Sequence, residues 1–386
     1  MTYAVNAHLR RHDTYHDRFA FGDDDEVLRY VIAEPEVITL APTDLGKMGP
    51  PQIRKLLLDT PDPLQWDCFT FGVIQGDDRF TVLIAVDHLR ADGMSAGVIF
   101  LDIQTMYFSA LQQAQCPLAP AASHREYSAN QHAYTRGLTE ESPEIRSWRA
   151  FLAANNGALP KFPLELGEAA ADTPGAIDVF DLIDDDQGGR FEAACRAAGA
   201  RFSGGVFACA ALTEHRLTGA ATYFGLTPFD NRRDPAHATA VGWLASFVPL
   251  AIPTAGASFD EVVSAAQASF DANTALGAVP YYHLLESPDE SSGPIEVPDR
   301  PVPMLSYIDI RKLPFGDYFD GLRAGVWGDN RLSETVCMWV NRMHDKTQLV
   351  VAYPGTDVAR RSVSRYVETI RAEFTRVADA GLNTDA

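Results

Sequence analysis

The sequence lacks paired cysteines, a secretory leader and any long uninterrupted apolar run. Its five cysteines are scattered and form no Cys-x-x-Cys pair, which argues against a zinc ribbon or a thioredoxin motif. The N-terminal stretch MTYAVNAHLRRHDTYHDRF has no apolar segment typical of a signal peptide. No run approaches the ~18 continuous apolar residues of a membrane span. We therefore expect a cytoplasmic protein whose thiols are reduced, with Cys68 and Cys209 buried.

Positive charge is also scarce. The chain has 32 Lys and Arg against 52 Asp and Glu, a net charge of −20. Without a basic run, such a surface repels nucleic acid and anionic lipid. The phosphate-binding pattern G-x-x-x-x-G-K-[ST] is missing as well. We expect no nucleic-acid partner, and a neutral substrate or a partner with its own basic face.

The chain is long enough for a large core. Its 386 residues, 46% of them hydrophobic, predict two domains or two halves of one unit. Strand and helix patterns alternate in both halves, which indicates an α/β fold. The stretch 154–178 is rich in Gly, Pro, Ala and Asn and marks a boundary. We place a first half at 1–160, a linker at 161–178 and a second half at 179–386.

The clearest local pattern surrounds one histidine. The apolar runs CFTFGVI and FTVLIAV, separated by QGDD, predict a buried hairpin, and GMSAGVIFLDIQTMYFSAL predicts the next helix. His88 lies between them, where a buried strand fixes its backbone and a neutral imidazole can accept a proton near pH 7. We expect Asp92 to organise the turn and Gly93 to adopt a tight or positive-φ backbone. A purely structural histidine is the alternative.

Three further histidines and three tryptophans are weaker candidates. His8, His12 and His16 are four residues apart, as in a helical metal ladder, but no carboxylate or cysteine is spaced to complete a site. We predict no metal there, and histidines that lie on the surface or line a substrate site. The tryptophans Trp66, Trp243 and Trp339 are expected in the core.

Several segments resemble one superfamily. AVDHLRADG resembles the H-H-x-x-x-D-G signature of condensation domains and chloramphenicol-acetyltransferase-like enzymes, with Asp87 in place of the first histidine. TPFDNRRDPA resembles their Gly-Arg loop, with Arg232 at the arginine position, and GWLASFVPL resembles the segment that follows. Longer blocks, including NAHLRRHDTY and PLQWDCFTFGVIQ, are similar to mycobacterial polyketide-associated acyltransferases, which build acylated trehalose glycolipids such as sulfolipid.

The resemblance implies a fold and a set of roles. The fold would be two chloramphenicol-acetyltransferase-like halves in a V with a central tunnel. His88 would be the catalytic base, and Asp92 would pair with Arg232 across the halves as a structural element. The backbone around Gly93 is a candidate oxyanion contact, and Trp243 a candidate to border the tunnel. No covalent acyl-enzyme and no cofactor are expected, because an acyl-CoA or acyl-carrier thioester is itself the donor substrate.

The predicted function is transfer of a long-chain acyl group to a trehalose or sulfotrehalose hydroxyl in cell-envelope glycolipid biosynthesis. A polyketide synthase would be a donor partner, and peripheral association with membrane lipid at the inner face would bring the substrates together. We expect a monomer. Family members carry a segment before NAHLRRHDTY, so we expect upstream residues to be missing. The alternatives are an amide-forming condensation enzyme on carrier-protein substrates and a non-catalytic truncated homologue.

Overall fold

The computed structural model describes residues 1–24, 26–170, 173–286, 301–313, 316, 321–326, 328 and 334–380. The chain folds as two compact units. The first comprises Met1–Tyr134 and Asp230–Ala245, and the second comprises Thr135–Phe229 and Ser246–Ala386. The first unit is therefore discontinuous in sequence, and the segment 230–245 returns to it. The predicted boundary at 161–178 lies inside the second unit and stays a prediction about family-like halves.

The first unit is built from helices and two short hairpins. Its elements, in chain order, are α1 (Thr2–Arg11), β1 (Asp17–Phe21), β2 (Val27–Val31), α2 (Pro50–Leu58), β3 (Phe69–Gln75), β4 (Phe80–Val86), α3 (Gly93–Leu111) and α4 (His124–Arg136), whose last two residues belong to the second unit. β1 pairs antiparallel with β2, and β3 with β4. The strand–turn–helix order around His88 is as predicted.

The core of the first unit lies between α1 and α3. Leu9 of α1 is fully buried, and Ile99 and Ile103 of α3 are each only 4% exposed. α3 is also long and apolar enough to cross a membrane, by length and composition alone. However, 44% of that stretch is buried inside the protein, and it carries the buried carboxylate of Asp102. These are features of a core helix.

The hairpin of β3 and β4 differs from the prediction. Only its base is buried, where Phe69 is 6% exposed. Toward the turn, Val73, Ile74 and Phe80 are each about two-fifths exposed. The expectation of a wholly buried hairpin is therefore wrong, because apolar composition in a strand does not by itself show which part of the strand other elements cover.

The second unit contains a four-stranded sheet. Its elements are α5 (Pro143–Ala154), β5 (Ala176–Asp184), α6 (Asp185–Ala197), α7 (Phe202–Thr218), β6 (Thr222–Asp230), β7 (Ala245–Pro253), α8 (Phe259–Asn273), α9 (Tyr282–Glu286), β8 (Met304–Asp309), β9 (Cys337–Arg342), β10 (Lys346–Tyr353) and α10 (Asp357–Ala380). The last residue of β6 and the first of β7 belong to the first unit. The sheet order is β5-β10-β9-β8, with β8 parallel to β9 and the other pairs antiparallel. β6 and β7 form a separate pair.

Close packing in the second unit depends on the small residues of α7. A Cβ on Gly205 would collide with the Sγ of Cys195 and the ring of Phe191. Cys209, on the same helix, is fully buried and free, and so is Cys68 in the first unit. The prediction that both thiols are buried is confirmed.

One carboxyl group of the second unit lies in an apolar pocket. Glu214 of α7 borders it together with Tyr223, Leu226, Met304 and Met338. The pocket is partly open and has a volume of about 20 Å³, roughly the room that one water needs. Burial raises the pKa of Glu214 to about 7, so this group is substantially protonated at neutral pH.

Candidate active site

His88 lies on a tight turn that its neighbour Asp87 stabilises. β4 ends at Val86 and α3 begins at Gly93, so the intervening residues must reverse the chain. The Asp87 carboxylate accepts a hydrogen bond from the amide of Leu89 (2.9 Å), and the Asp87 carbonyl accepts one from the amide of Arg90 (2.9 Å). This local turn chemistry suits aspartate. It leaves the His88 side chain exposed at the end of the hairpin.

Arg90 attaches the same turn to the N-terminal segment. Its guanidinium is 3% exposed and forms an ion pair with Asp17. It also donates to the carbonyl oxygens of Asp17 (2.6 Å) and Thr14, and its Nε donates to the Sγ of Cys68 (3.3 Å). A buried guanidinium with this many partners fixes its own backbone. Sequence reasoning missed this contact, although Arg90 stands inside the quoted motif.

Asp92 joins the turn, helix α3 and the segment 242–245. Its carboxylate caps α3 by accepting from the amide (2.9 Å) and hydroxyl (2.8 Å) of Ser95. The amides of Leu244 and Ala245 donate to its Oδ2 at 3.0 and 3.1 Å. Burial acts to raise the pKa of Asp92, but the hydrogen bonds and charge of Arg232 and the amides outweigh it and lower the pKa below its usual range.

Arg232 makes a two-pronged ion pair with Asp92. Nη1 donates to Oδ2 and Nη2 to Oδ1, both at 2.9 Å, and the two side chains are 3% and 2% exposed. Nη1 also donates to Asp230 at 2.8 Å, and Nη2 to the hydroxyl of Ser95 at 3.0 Å. The expected pair is present. Asp92 lies in the predicted first half and Arg232 in the predicted second half, and both belong to the first compact unit.

Trp243 packs against the candidate base. The ring centroids of His88 and Trp243 are 4.4 Å apart, with the planes tilted by 42°. The tryptophan is 42% exposed, so it is not the core residue that composition predicted. Trp66 and Trp339 are both half-buried, and Trp66 packs on the core of the first unit.

Gly93 begins α3, and its φ is not positive, so of the two expected alternatives, a tight or a positive-φ backbone, the second is wrong. A Cβ built on it meets no atom of the described residues within 4 Å. Neither backbone conformation nor crowding by the protein therefore requires glycine here. The open space beside the first turn of α3 is available to a substrate. The amides of a first helical turn have no partner inside the helix, and here Asp92 binds that of Ser95.

The N-terminal histidines are buried, contrary to expectation. His8, His12 and His16 are 0%, 1% and 6% exposed. Asp102 of α3 supplies the carboxylate that sequence spacing did not reveal. Its Oδ2 accepts from His12 Nε2 (2.6 Å), Arg11 Nε (3.1 Å) and His8 Nδ1 (3.2 Å). The prediction of histidines on the surface or lining a substrate site is wrong, because His8 and His12 have their partner about 90 residues away in sequence, and His16 Nε2 is bound to the Leu9 carbonyl oxygen (3.0 Å).

Ligand type alone would allow His8, His12 and Asp102 to hold a metal ion, with ligand atoms within 4.8 Å of one another. However, Asp102 Oδ2 already accepts three hydrogen bonds, one of them from a guanidinium whose charge opposes a cation. Burial is the main cause that lowers the pKa of His12 to about 4. The cluster therefore fits a neutral-histidine network that links α1 to α3.

His124 supports the backbone beside Trp243. Its Nε2 donates to the Trp243 carbonyl oxygen at 3.3 Å, and burial lowers its pKa. A Cβ on Gly242 would collide with the His124 ring, so glycine is required at this close approach. Sequence patterns did not predict this contact, because the polar stretch of α4 carries almost no apolar periodicity.

Comparisons with known proteins identify the family. The Condensation domain family matches residues 1–293. Acyltransferase PapA3 of Mycobacterium tuberculosis is 40% identical over 98% of this chain and 80% of its own length. Trehalose-2-sulfate acyltransferase PapA2 of the same organism is 41% identical over 100% of this chain and 82% of its own length.

The chain belongs to the condensation-domain family. A solved structure of PapA2 acyl transferase superposes with a TM-score of 0.92 at 38% identity, covering 98% of this chain and 83% of that one. The predicted mixed α/β fold and the resemblance to polyketide-associated acyltransferases are confirmed. This member of the family is an acyltransferase. The roles of His88, Asp92, Arg232, Gly93 and Trp243 stay predictions.

Proposed function

We propose that this acyltransferase moves a long-chain acyl group from a thioester to a hydroxyl of a trehalose-type sugar, with His88 as general base. The observation that carries the proposal is the exposed imidazole on a turn fixed from both sides, by buried Arg90 and by buried Asp92. A relative covering the whole chain is named as an acyltransferase of trehalose 2-sulfate, which supports the acceptor class.

The proposed step balances without a cofactor. Nε2 or Nδ1 of His88 takes the proton from the sugar hydroxyl while its oxygen attacks the thioester carbonyl, so a C–O bond forms. The tetrahedral intermediate collapses, the C–S bond breaks, and the imidazolium returns the proton to the leaving thiolate. A positioned base of this kind contributes about 10²–10⁴-fold. Backbone amides at the start of α3, near Gly93, are the candidate donors to the oxyanion.

Asp92 and Arg232 would act indirectly. Their ion pair holds the turn, the start of α3 and the segment 242–245 together, so they set the position of His88 and contact no reacting atom. The Ser95 hydroxyl beside them bonds Asp92, Arg232 and Gly242. Because that hydroxyl is engaged, we propose direct transfer without a covalent acyl-enzyme.

The donor and the setting are part of the proposal. A long-chain acyl-CoA or a carrier domain of a polyketide synthase would supply the thioester, and the monomeric protein would act in the cytoplasm at the inner face of the membrane. Amphiphilic acyl sugars partition into lipid, which is the reason for that location. Cell fractionation and sedimentation analysis of the purified chain test the location and the monomer.

The test compares wild-type protein with His88→Ala and with a control, His132→Ala, which removes an exposed histidine of α4. Each is incubated with palmitoyl-CoA and trehalose, trehalose 2-sulfate or a simple primary amine, and products are detected by mass. We expect acyl sugar from wild type and control, and at least a hundredfold less from His88→Ala. Equal product from all three would reject His88 as base, and acyl amide alone would indicate a condensation enzyme.

A further inference from the structure

Trp243 combines exposure with a fixed position. An exposed tryptophan normally lies on a mobile surface, but the backbone on both sides of this one is held. The amide of Gly242 donates to the Ser95 hydroxyl (3.1 Å), and the amides of Leu244 and Ala245 donate to Asp92. The Trp243 carbonyl is bound by His124. The exposed part of the indole is therefore presented in a defined place.

The place is beside the base. With ring centroids 4.4 Å apart, a ligand that lies on the exposed part of the indole is within one ring's width of the imidazole. A general base must approach the proton it removes to about 2.6–3.2 Å between heavy atoms. A flat ligand bearing hydroxyls at its rim meets both conditions, because one hydroxyl can reach His88 while the ring stays on the indole.

The chemistry of the indole face selects the ligand. The face carries the negative part of the aromatic quadrupole, and the C–H groups of a pyranose form an apolar, slightly positive face that packs against it. Bulky tryptophan supplies much contact area at low conformational cost. A linear amine or an acyclic polyol offers no comparable face.

We propose that Trp243 is the platform on which the pyranose ring of the acceptor stacks, and that it makes the enzyme select sugar acceptors. This inference rests on the proposed function and deepens it. Trp243 binds the substrate and does not move a proton. Its effect is therefore expected mainly in KM for ring-shaped acceptors.

The experiment measures kcat/KM for trehalose and for glycerol, an acceptor with hydroxyls and no ring, with palmitoyl-CoA as donor. The variants are Trp243→Ala, Trp243→Phe and the control Trp339→Phe on β9. We expect the trehalose-to-glycerol ratio to fall at least tenfold in Trp243→Ala, through KM for trehalose, and two- to threefold in Trp243→Phe. The Trp339→Phe ratio should equal that of wild type.

Other results would contradict the proposed role of Trp243 as a platform for the acceptor sugar. An unchanged ratio in Trp243→Ala, even with both activities reduced, would mean that the tryptophan only supports His88. Failure of the proposed function is distinguishable, because wild type would then acylate no sugar. If wild type acylates no sugar, calorimetric titration of trehalose into wild type and Trp243→Ala still tests the platform. Binding that is lost in the variant supports the platform, whereas equal binding or no binding to wild type rejects it.

Discussion

Replacing Arg232 with methionine should destabilise the first unit by about 3 kcal/mol. Methionine approximates the length of the arginine stem but leaves the Asp92 carboxylate, 2% exposed, without its counter-ion. Breaking a buried pair from one side costs ~3–5 kcal/mol. Four donors remain on Asp92, from the amides of Ser95, Leu244 and Ala245 and the Ser95 hydroxyl, so the lower end applies.

Two internal controls isolate the charge. In the double variant Asp92→Asn with Arg232→Met no buried charge is left unpaired, so about 2 kcal/mol of the loss should return. The pH dependence has a definite sign. The folded-state pKa of Asp92 is lowered, so its contribution is present above the unfolded pKa of ~3.9 and is lost as pH falls through the folded value. The penalty in Arg232→Met should therefore shrink on acidification below pH 4.

The assay pairs urea unfolding with hydrogen exchange of a peptide covering 242–247, whose Leu244 and Ala245 amides are bound to Asp92. We expect faster exchange in Arg232→Met and partial recovery in the double variant. A loss of less than about 1 kcal/mol in the free energy of unfolding, with unchanged exchange, would refute the reasoning, because leaving a buried carboxylate unpaired destabilises a protein by more than this. A double variant less stable than Arg232→Met would refute it as well.

Three further predictions concern other residues. Arg90→Lys should lower the free energy of unfolding by about 3 kcal/mol and kcat at least tenfold, because lysine cannot reproduce the buried bonds to Asp17 and Thr14. The matched control is Arg79→Lys at an exposed site. Equal behaviour of the two variants in urea unfolding and rate assays would contradict the role of Arg90 in attaching the turn to the N-terminal segment. Gly93→Ala should keep wild-type stability within about 1 kcal/mol, since its Cβ meets open space, yet lower kcat if substrate passes there; unchanged kinetics would remove Gly93 from the oxyanion site. The pKa of Glu214 is about 7 in the folded state, against an ordinary value of 4.5, so the folded state binds this proton more tightly. The free energy of unfolding of wild type should therefore fall by up to about 3 kcal/mol as pH rises from 4.5 to 8. Glu214→Gln should lack this fall in urea titrations at several pH values, and parallel plots of stability against pH for the two proteins would contradict the prediction.

Local sequence patterns predicted the elements that surround His88 because their signals lie within short stretches of chain. CFTFGVI and FTVLIAV are apolar runs separated by the turn QGDD, and GMSAGVIFLDIQTMYFSAL has helical spacing, so the hairpin, the turn and α3 followed from short-range chemistry. The motif also carried Asp92 and, through resemblance, Arg232. Helix α4 was not predicted, since its residues are mostly polar and its N-terminus is fixed by Asp13, far away in sequence.

Contacts between distant residues account for the remaining errors. His8 and His12 of α1 were expected on the surface or lining a substrate site, because no partner was near in sequence, but Asp102 of α3 binds both in the core. Trp243 was expected in the core because tryptophan is usually buried. Its exposure depends on the backbone bonds to Asp92 and His124. Sequence spacing could not show either arrangement, because each joins segments about 90 to 150 residues apart.

The discontinuity of the first unit has a consequence for synthesis on the ribosome. Asp92 and Arg232 are 140 residues apart, and the amides of Leu244 and Ala245 come later still. Domains generally fold as the chain emerges, N-terminal parts first, but the turn that carries His88 lacks its contacts from Arg232 and from the amides of Leu244 and Ala245 until residue 245 has left the exit tunnel. The body of the second unit begins to emerge in the meantime. The reactive centre is therefore completed late, so a nascent chain released early displays a histidine without a working site.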